Sequence, residues 1–319
     1  MRAIVIAEHG GPEVLEYKEH PDPVPGPGEV VVDVAASGVN FIDIYHRKGV
    51  YPLEMPAPLG AEGAGRVSAV GPGVHDFRAG DMVGWLNILG SYAEKALVPA
   101  ERLVRVPDNV PADLAAAALL QGLTAHYLTH STHEVRRGEN VLIHAGAGGM
   151  GQLLIQLAKL RGAHVITTVS SDEKEKLARA LGADEVIRYD GFAEAVRRVV
   201  PSGVDVVYDG VGAATFDGSL ASLRRRGLMV LYGAASGPVP PFDPQRLNKS
   251  GSLYLTRPTL DHYIDDHGEL LARAADVFGW IESGQLRIDI SHRYPMAEAA
   301  QAHEDLAARR TTGKLLLIP

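Results

Sequence analysis

A glycine-rich turn between two apolar segments constrains this chain more than any other feature. Val141–Ala145 reads as a buried strand, Gly146-Ala147-Gly148-Gly149-Met150-Gly151 as a tight loop, and Met150–Arg161 as a helix. The glycines fall as G-x-G-x-x-G in the strand–loop–helix setting that this pattern needs. The first makes the turn, the second lets the backbone approach a pyrophosphate, and the third lets the helix pack closely on the strand. Amide N–H groups and the helix dipole then favour phosphate at the helix N-terminus. A tight turn without a ligand can carry the same glycines, but the alternation that follows favours a dinucleotide site.

That alternation is regular. Ala163–Val169 is a strand and Asp172–Leu181 a helix, and Glu185–Arg188, Val204–Tyr208, Leu228–Tyr232 and Ser252–Leu255 are further strands. Strands separated by helices predict a doubly wound parallel sheet. Upstream the character differs. Val30–Val34, Gly65–Val70 and Met82–Trp85 are short apolar runs between turn clusters, which predicts a compact barrel with one short helix near Asn40–Lys48. Two helical stretches, Ala112–Leu120 and Leu123–His130, lead from one region to the other. Helices at Leu270–Ser283 and Ala297–Ala308, an extended Ser291–Tyr294 and a last strand, Lys314–Ile318, pack most economically against the first region. The expected domains are therefore residues 1–123 with 264–319, and residues 124–263. Arg224-Arg225-Arg226 reads as a helix C-terminus capped by a left-handed Gly227.

Composition narrows the chemistry. Of 319 residues, 46% are hydrophobic and 22% charged, which suits a folded soluble chain. There is no cysteine, so disulfides, thiolate catalysis and cysteine-ligated metals are excluded. The net charge of −8 and the 6% aromatic content offer little to a nucleic acid, which needs cations and stacking surfaces. The first residues reach Glu8 too soon for a signal peptide, so a cytoplasmic location is expected. The longest uncharged run, Asn140 to Ala158, carries four glycines and is the strand–turn–helix above rather than a membrane span. His130, His133 and Glu134, and His262 and His267 with Asp261, Asp265 and Asp266, lack helical metal-ligand spacing and read as polar loops.

The end of the second strand selects the dinucleotide. An NAD site usually places Asp or Glu there to hold the ribose 2′-hydroxyl. Here Val169 is followed by Ser170-Ser171, with Lys174 close behind. Hydroxyls and a cation suit a 2′-phosphate, so NADPH is the expected cofactor, with Asp172 read as a helix N-cap.

Longer stretches resemble a known family. Gly38-Val39-Asn40-Phe41-Ile42-Asp43-Ile44-Tyr45, Gly49-Val50-Tyr51-Pro52 and Gly60-Ala61-Glu62-Gly63-Ala64-Gly65 are similar to the quinone oxidoreductases. These form the zeta-crystallin-like, zinc-free branch of the medium-chain dehydrogenase/reductases. The resemblance continues through Gly122-Leu123-Thr124, Tyr208-Asp209-Gly210-Val211-Gly212, Arg226–Val230 and Leu255-Thr256-Arg257-Pro258 to the final Gly313–Pro319. It implies a GroES-like β-barrel catalytic domain plus a Rossmann domain, an active site in the cleft between them, and reduction of a small quinone by NADPH. It further implies that Asn40, Asp43, Tyr45 and Tyr51 line the quinone pocket; there Asn40 and Tyr45 can donate to the oxygen that gains charge, or position the carboxamide. Gly148, Gly149 and Met150 would meet the pyrophosphate, and Ser170, Lys174 and Tyr189 the 2′-phosphate. Asn40, Tyr127, Tyr232, Gly233 and Arg257, with Arg309, would flank the rest of the cofactor. Ser170 departs from a glycine found in some relatives. A homodimer joined near Ser252–Leu255 is also implied.

Zinc relatives in that superfamily carry a cysteine where Asn40 stands and a His-Glu pair where Ala61-Glu62 stands. Two of those ligands are replaced here, so no metal is expected. The electron count is left open. Two other functions use the same features: saturation of an enone or enal C=C bond by NADPH, and an NADPH-binding protein with a structural or RNA-binding role.

Overall fold

Burial on both faces makes Val141, Leu142 and Ile143 a strand with no polar alternation, and they form its inner part, Asn140–Ile143. The structure is a computed structural model that describes residues 1–319. The strand lies inside a six-stranded parallel sheet ordered Glu185–Arg188, His164–Val169, Asn140–Ile143, Val204–Asp209, Leu223–Leu231, Tyr254–Thr256. Every adjacent pair in it is parallel. The first three strands in sequence step one way across the sheet, and the chain then returns to the other side of Asn140–Ile143. That reversal is the switch point where such sheets take ligands at their carboxyl ends. Helices Phe192–Val199 and Phe216–Ser222 bury Phe192, Val196, Phe216 and Leu220 against Leu142, Ile166, Val207 and Met229. Each such side chain contributes about 1.5–3 kcal/mol when fully buried.

Three local readings change. Ser171, not Asp172, caps the helix Asp172–Ala180, because its hydroxyl accepts the Lys174 N–H at 3.3 Å. Arg224–Gly227 lies inside the strand Leu223–Leu231 rather than at a helix end, and the left-handed residue is Arg226, with φ +57°. The Arg224 guanidinium pairs with Asp205 at 2.6 Å across the strand pair, which holds this irregular stretch in the sheet. The two helical stretches after residue 112 are one helix, Ala112–Tyr127, ending in a wider π turn at Leu128–Thr132.

The chain divides into the unit Met1–Leu123 with Ile264–Pro319 and the unit Thr124–Tyr263. In the former, the eleven-residue strand Glu29–Val39 pairs with Glu62–Val70, Lys95–Pro99 and the last strand, Lys314–Ile318. Met82–Leu86, Val104–Arg105 and Ile290–Pro295 complete a seven-stranded sheet. Register shifts near Val31 and Val34 bend the long strand, which lets it serve several neighbours. Val30, Val32, Val67, Val83, Trp85, Val98 and Leu103 fill its interior. Directly after the long strand, the chain turns at Asn40 into the helix Phe41–Arg47.

Candidate active site

The parallel sheet gathers the nucleotide candidates along one edge. Tyr189 follows Glu185–Arg188, Ser170 follows His164–Val169, and the glycine loop follows Asn140–Ile143. Gly210 follows Val204–Asp209, Tyr232 and Gly233 follow Leu223–Leu231, and Arg257 follows Tyr254–Thr256. Each therefore stands just beyond the carboxyl end of its own strand. The Gly210 backbone passes so close to the Tyr232 ring that a Cβ on it would lie 2.8 Å from the phenol. Tyr127, at the end of Ala112–Tyr127, is buried and stacks on Tyr263 with ring centroids 4.2 Å apart. Arg309 is the exception. It sits in the other unit, exposed, one residue past the C-cap of the helix Ala299–Ala307.

The glycine loop has the shape of a phosphate cradle. Gly148 caps the helix Gly149–Leu160, but its own N–H donates to the Ala145 carbonyl at 2.8 Å. The donors on offer are those of the first helical turn, Gly149, Met150 and Gly151. Gly151 is where the helix meets the strand: a Cβ there would lie 2.2 Å from the Ala145 oxygen and 2.7 Å from Gly146 Cα.

At the end of the second strand, Lys174 Nζ donates to Ser170 Oγ at 3.3 Å. The neighbouring carboxylate of Asp172 is held by Arg188 at 2.5 Å, and the same guanidinium reaches Glu175 at 3.1 Å. Arg188 therefore neutralises acidic groups that would otherwise repel a phosphate, and no acid stands at Ser170 or Ser171.

A second network, not anticipated from the sequence, anchors the switch point. Asp209 Oδ1 accepts the N–H groups of Val211 and Gly212 at 2.8 and 2.9 Å, and its Oδ2 accepts Thr215 and Ser219 at 2.7 and 2.8 Å. His144 bridges Ser219 and Thr168, each at 2.9 Å. These bonds fix the loop after the fourth strand beside the glycine loop.

The four acceptor-side candidates lie on or beside the helix Phe41–Arg47, yet they differ in exposure. Tyr51 is exposed and Tyr45 half-buried, and their rings meet edge to face at 5.7 Å. Asp43 is fully buried. It accepts the Asn40 N–H at 2.8 Å, the Ala61 N–H at 3.1 Å and the Tyr92 hydroxyl at 2.9 Å. Tyr92 in turn contacts His303 Nε2 at 3.2 Å, and His303 Nδ1 contacts Arg47 at 3.3 Å. One arrangement satisfies all of these atoms: Arg47 donates to His303, His303 to Tyr92, and Tyr92 to Asp43. Asp43 thus faces protein donors rather than a pocket.

Asn40 is also committed inward. Its Oδ1 accepts from Lys314 Nζ at 2.6 Å and from Gln121 at 3.3 Å, while its Nδ2 donates to Glu62 at 2.8 Å. The Asn40 amide is therefore already engaged by protein groups, and of the two expected donors Tyr45 is the one whose side chain is not buried. The sequence reading did not single out Glu62 and Lys314 as the partners of Asn40. The signal was present, because a lone carboxylate stands in the small-residue run Gly60–Gly65 and a lone ammonium before Leu315-Leu316-Leu317.

The buried rings make a pH prediction. Burial lowers His144 to about 4, and burial together with the Arg47 charge lowers His303 to about 3. Unfolded, each takes a proton below about 6.5; folded, each stays neutral to lower pH. Stability therefore falls as pH drops from 6.5 toward 4, by up to about 1.4 kcal/mol per pH unit for each ring. Asp43, raised to about 7 by burial despite its three donors, acts oppositely, since between pH 7 and 4 the folded chain holds its proton more tightly. Two rings outweigh one carboxyl. Melting temperatures are expected to fall steadily from pH 6.5 to 4.5, and a flat profile would contradict neutral rings.

Comparison with known proteins adds to this geometry. Residues 26–108 match the family model described as "Alcohol dehydrogenase GroES-like domain", and residues 149–264 match "Zinc-binding dehydrogenase". The chain is 48% identical to a quinone oxidoreductase of Pseudomonas aeruginosa over 324 residues, covering 100% of this chain and 99% of that one. It belongs to the quinone oxidoreductase family of the medium-chain dehydrogenase/reductases. The crystal structure of Escherichia coli quinone oxidoreductase complexed with NADPH superposes with a TM-score of 0.98 at 41% identity, covering 100% of both chains. A 2-haloacrylate reductase of Burkholderia sp. is 43% identical over 99% of this chain and 98% of its own. The family's GroES-like and Rossmann-like parts match the two sheets, so the expected fold holds. The zinc of the second description does not fit the residues here. Asn40 and Ala61 offer neither thiolate nor imidazole, the Glu62 carboxylate is taken by Lys314, and no three His, Cys, Asp or Glu side chains cluster to hold a metal.

Proposed function

We propose that this chain is an NADPH-dependent quinone reductase that works without zinc. The observation that carries the reading is the carboxyl edge of the parallel sheet: a phosphate-ready helix N-terminus, with Ser170 and Lys174 where an NAD site has an acid. The full-length similarity to quinone oxidoreductases supports the acceptor. NADPH, when bound, supplies the reducing equivalents, and a quinone is electrophilic enough to need no Lewis acid.

The chain's own residues then bind, orient and exclude water. Gly149 and Met150 present N–H groups to the pyrophosphate, with Gly148 leaving space for it. Ser170, Lys174 and Tyr189 receive the 2′-phosphate. Tyr232, Gly233, Arg257 and Tyr127 border the remainder, and Arg309 is the weakest member of the set on position. On the acceptor side Tyr45 and Tyr51 present aromatic faces and hydroxyls, and the Tyr45 hydroxyl can stabilise charge on the acceptor oxygen. Asn40 and Asp43 hold that helix in place.

A homodimer and a cytoplasmic location belong to the same reading. The dimer is supported by the outer strand Tyr254–Thr256, which ends the sheet and leaves Tyr254 62% exposed; its check is a hydrodynamic mass twice the 34.0 kDa of the chain. No helix is long and apolar enough to cross a membrane.

The test is steady-state oxidation of NADPH and NADH with small quinones, enones, a 2-haloacrylate and primary alcohols, with and without a chelator. Rapid turnover is expected with quinones and NADPH, none with alcohols, and no loss to the chelator. Turnover of the haloacrylate well above every quinone would replace the proposed acceptor, and chelator-sensitive activity restored by zinc would overturn the metal-free reading.

A further inference from the structure

The barrel unit contains a fully buried ion pair. Lys314 Nζ lies 2.6 Å from Glu62 Oε2, and the two side chains are 1% and 0% exposed. Glu62 Oε1 accepts the Leu120 N–H at 2.6 Å. Desolvating both charges generally offsets their attraction, so apolar side chains of similar volume would serve stability as well or better. What this pair does that apolar residues cannot is impose direction on the group between them.

That group is the Asn40 amide. Its oxygen faces two donors, Lys314 and Gln121, and its nitrogen faces the Glu62 carboxylate. Rotating the amide by half a turn would press N–H against an ammonium and C=O against a carboxylate, so only one orientation is satisfied. Four separate segments meet at this point: the end of Glu29–Val39, the start of Glu62–Val70, the helix Ala112–Tyr127 and the start of Lys314–Ile318. Gly313 makes the meeting possible. It has φ +64°, and a Cβ on it would lie 2.5 Å from the Asp289 carbonyl oxygen, so only glycine brings Lys314 to this register.

We propose that Lys314 and Glu62 are positioning residues of the reduction: the buried pair locks Asn40 in one amide orientation and so fixes the start of the helix that carries Tyr45. The proposal rests on the reading that the acceptor meets this helix. Through Asn40 the same pair sets Asp43, whose carboxylate takes the Asn40 N–H, so the helix N-terminus is held from both sides.

Glu62→Gln is the smallest test. It keeps an oxygen for the Leu120 N–H but turns an N–H toward Asn40, which reverses the demand on the amide. With selective ¹⁵N-asparagine labelling, the wild-type Asn40 side chain should give one sharp pair of amide signals. Glu62→Gln should shift or broaden that pair. In the same variant kcat for quinones should fall at least tenfold, while the NADPH Kd from fluorescence titration stays within twofold. If Glu62→Gln does not fold, the charge-free Glu62→Gln/Lys314→Met pair is read the same way. An unchanged amide signal would overturn the lock, and a changed signal with kcat within twofold would overturn its role in the reaction. If Asn40→Ala and Tyr45→Phe both leave quinone turnover intact, it is the acceptor site that has been misplaced, and the amide signals still decide the lock.

Discussion

Gly151→Ala is expected to weaken NADPH binding at least 100-fold. The added Cβ would meet only backbone, the Ala145 oxygen at 2.2 Å and Gly146 Cα at 2.7 Å, and backbone cannot rotate away. The helix Gly149–Leu160 must therefore lift off the strand end that it now touches. Ala145 has little freedom to help, since it already holds φ +56°. Overpacking of this kind costs roughly 1–3 kcal/mol in stability. The larger effect is on the ligand, because the N–H groups of the first turn move with the helix and a displaced donor loses its charge-assisted bond. Fluorescence titration with NADPH reads the affinity, and thermal unfolding reads the packing cost. Gly279→Ala is the control: it lies in the helix His267–Glu282 with nothing within 4 Å of its added Cβ, so it should leave the affinity unchanged. If Gly151→Ala binds NADPH as the wild type does, the close-packing account of the loop is wrong.

Lys174→Glu is expected to raise the NADPH Kd about 100-fold and the NADH Kd less than threefold. Lys174 stands in the first turn of Asp172–Ala180 beside Ser170, and that turn already contains Asp172, Glu173 and Glu175. Arg188 engages Asp172 and Glu175, but a fourth carboxylate would have no such partner. The substitution removes a cation worth about 1.5–3 kcal/mol to a phosphate and adds repulsion at the same place. NADH lacks the 2′-phosphate and meets neither effect. The informative quantity is the ratio of the two losses: equal losses would remove Ser170 and Lys174 from the 2′-phosphate site and leave the choice of NADPH unexplained.

How much was legible in the sequence follows from the distance over which each feature is determined. The glycine loop and the parallel sheet were readable because a turn, a helix start and apolar runs are local; strand ends were displaced by a residue or two, except that Leu223–Leu231 begins five residues before the expected Leu228. The closeness of Lys174 to Ser170 was readable for the same reason, the two being four residues apart in sequence. The Arg224–Gly227 stretch misled because basic residues before a glycine look alike at a helix end and in an irregular strand, and only the Asp205 partner separates them. The surroundings of the Phe41–Arg47 helix were only partly legible. Its residue types near Asn40 were evident, but whether Asn40 and Asp43 face a ligand or the protein depends on Glu62, Tyr92, His303 and Lys314, which lie 22 to 274 residues away from the atoms they bind. No local pattern specifies such partners.

The ion pair also has a consequence for how the molecule is made. A ribosome completes Thr124–Tyr263 as one uninterrupted piece, and this unit can form its core while the chain is still growing. The barrel unit must wait, because the strand that lies beside Ser37–Val39 follows Thr124–Tyr263 in the chain. Until Lys314 arrives, Glu62 has no ammonium, and burying it would leave a lone charge in an apolar interior. Burying that carboxylate is therefore favoured only after Lys314 has been translated, so closure of this unit is expected to follow the folding of Thr124–Tyr263.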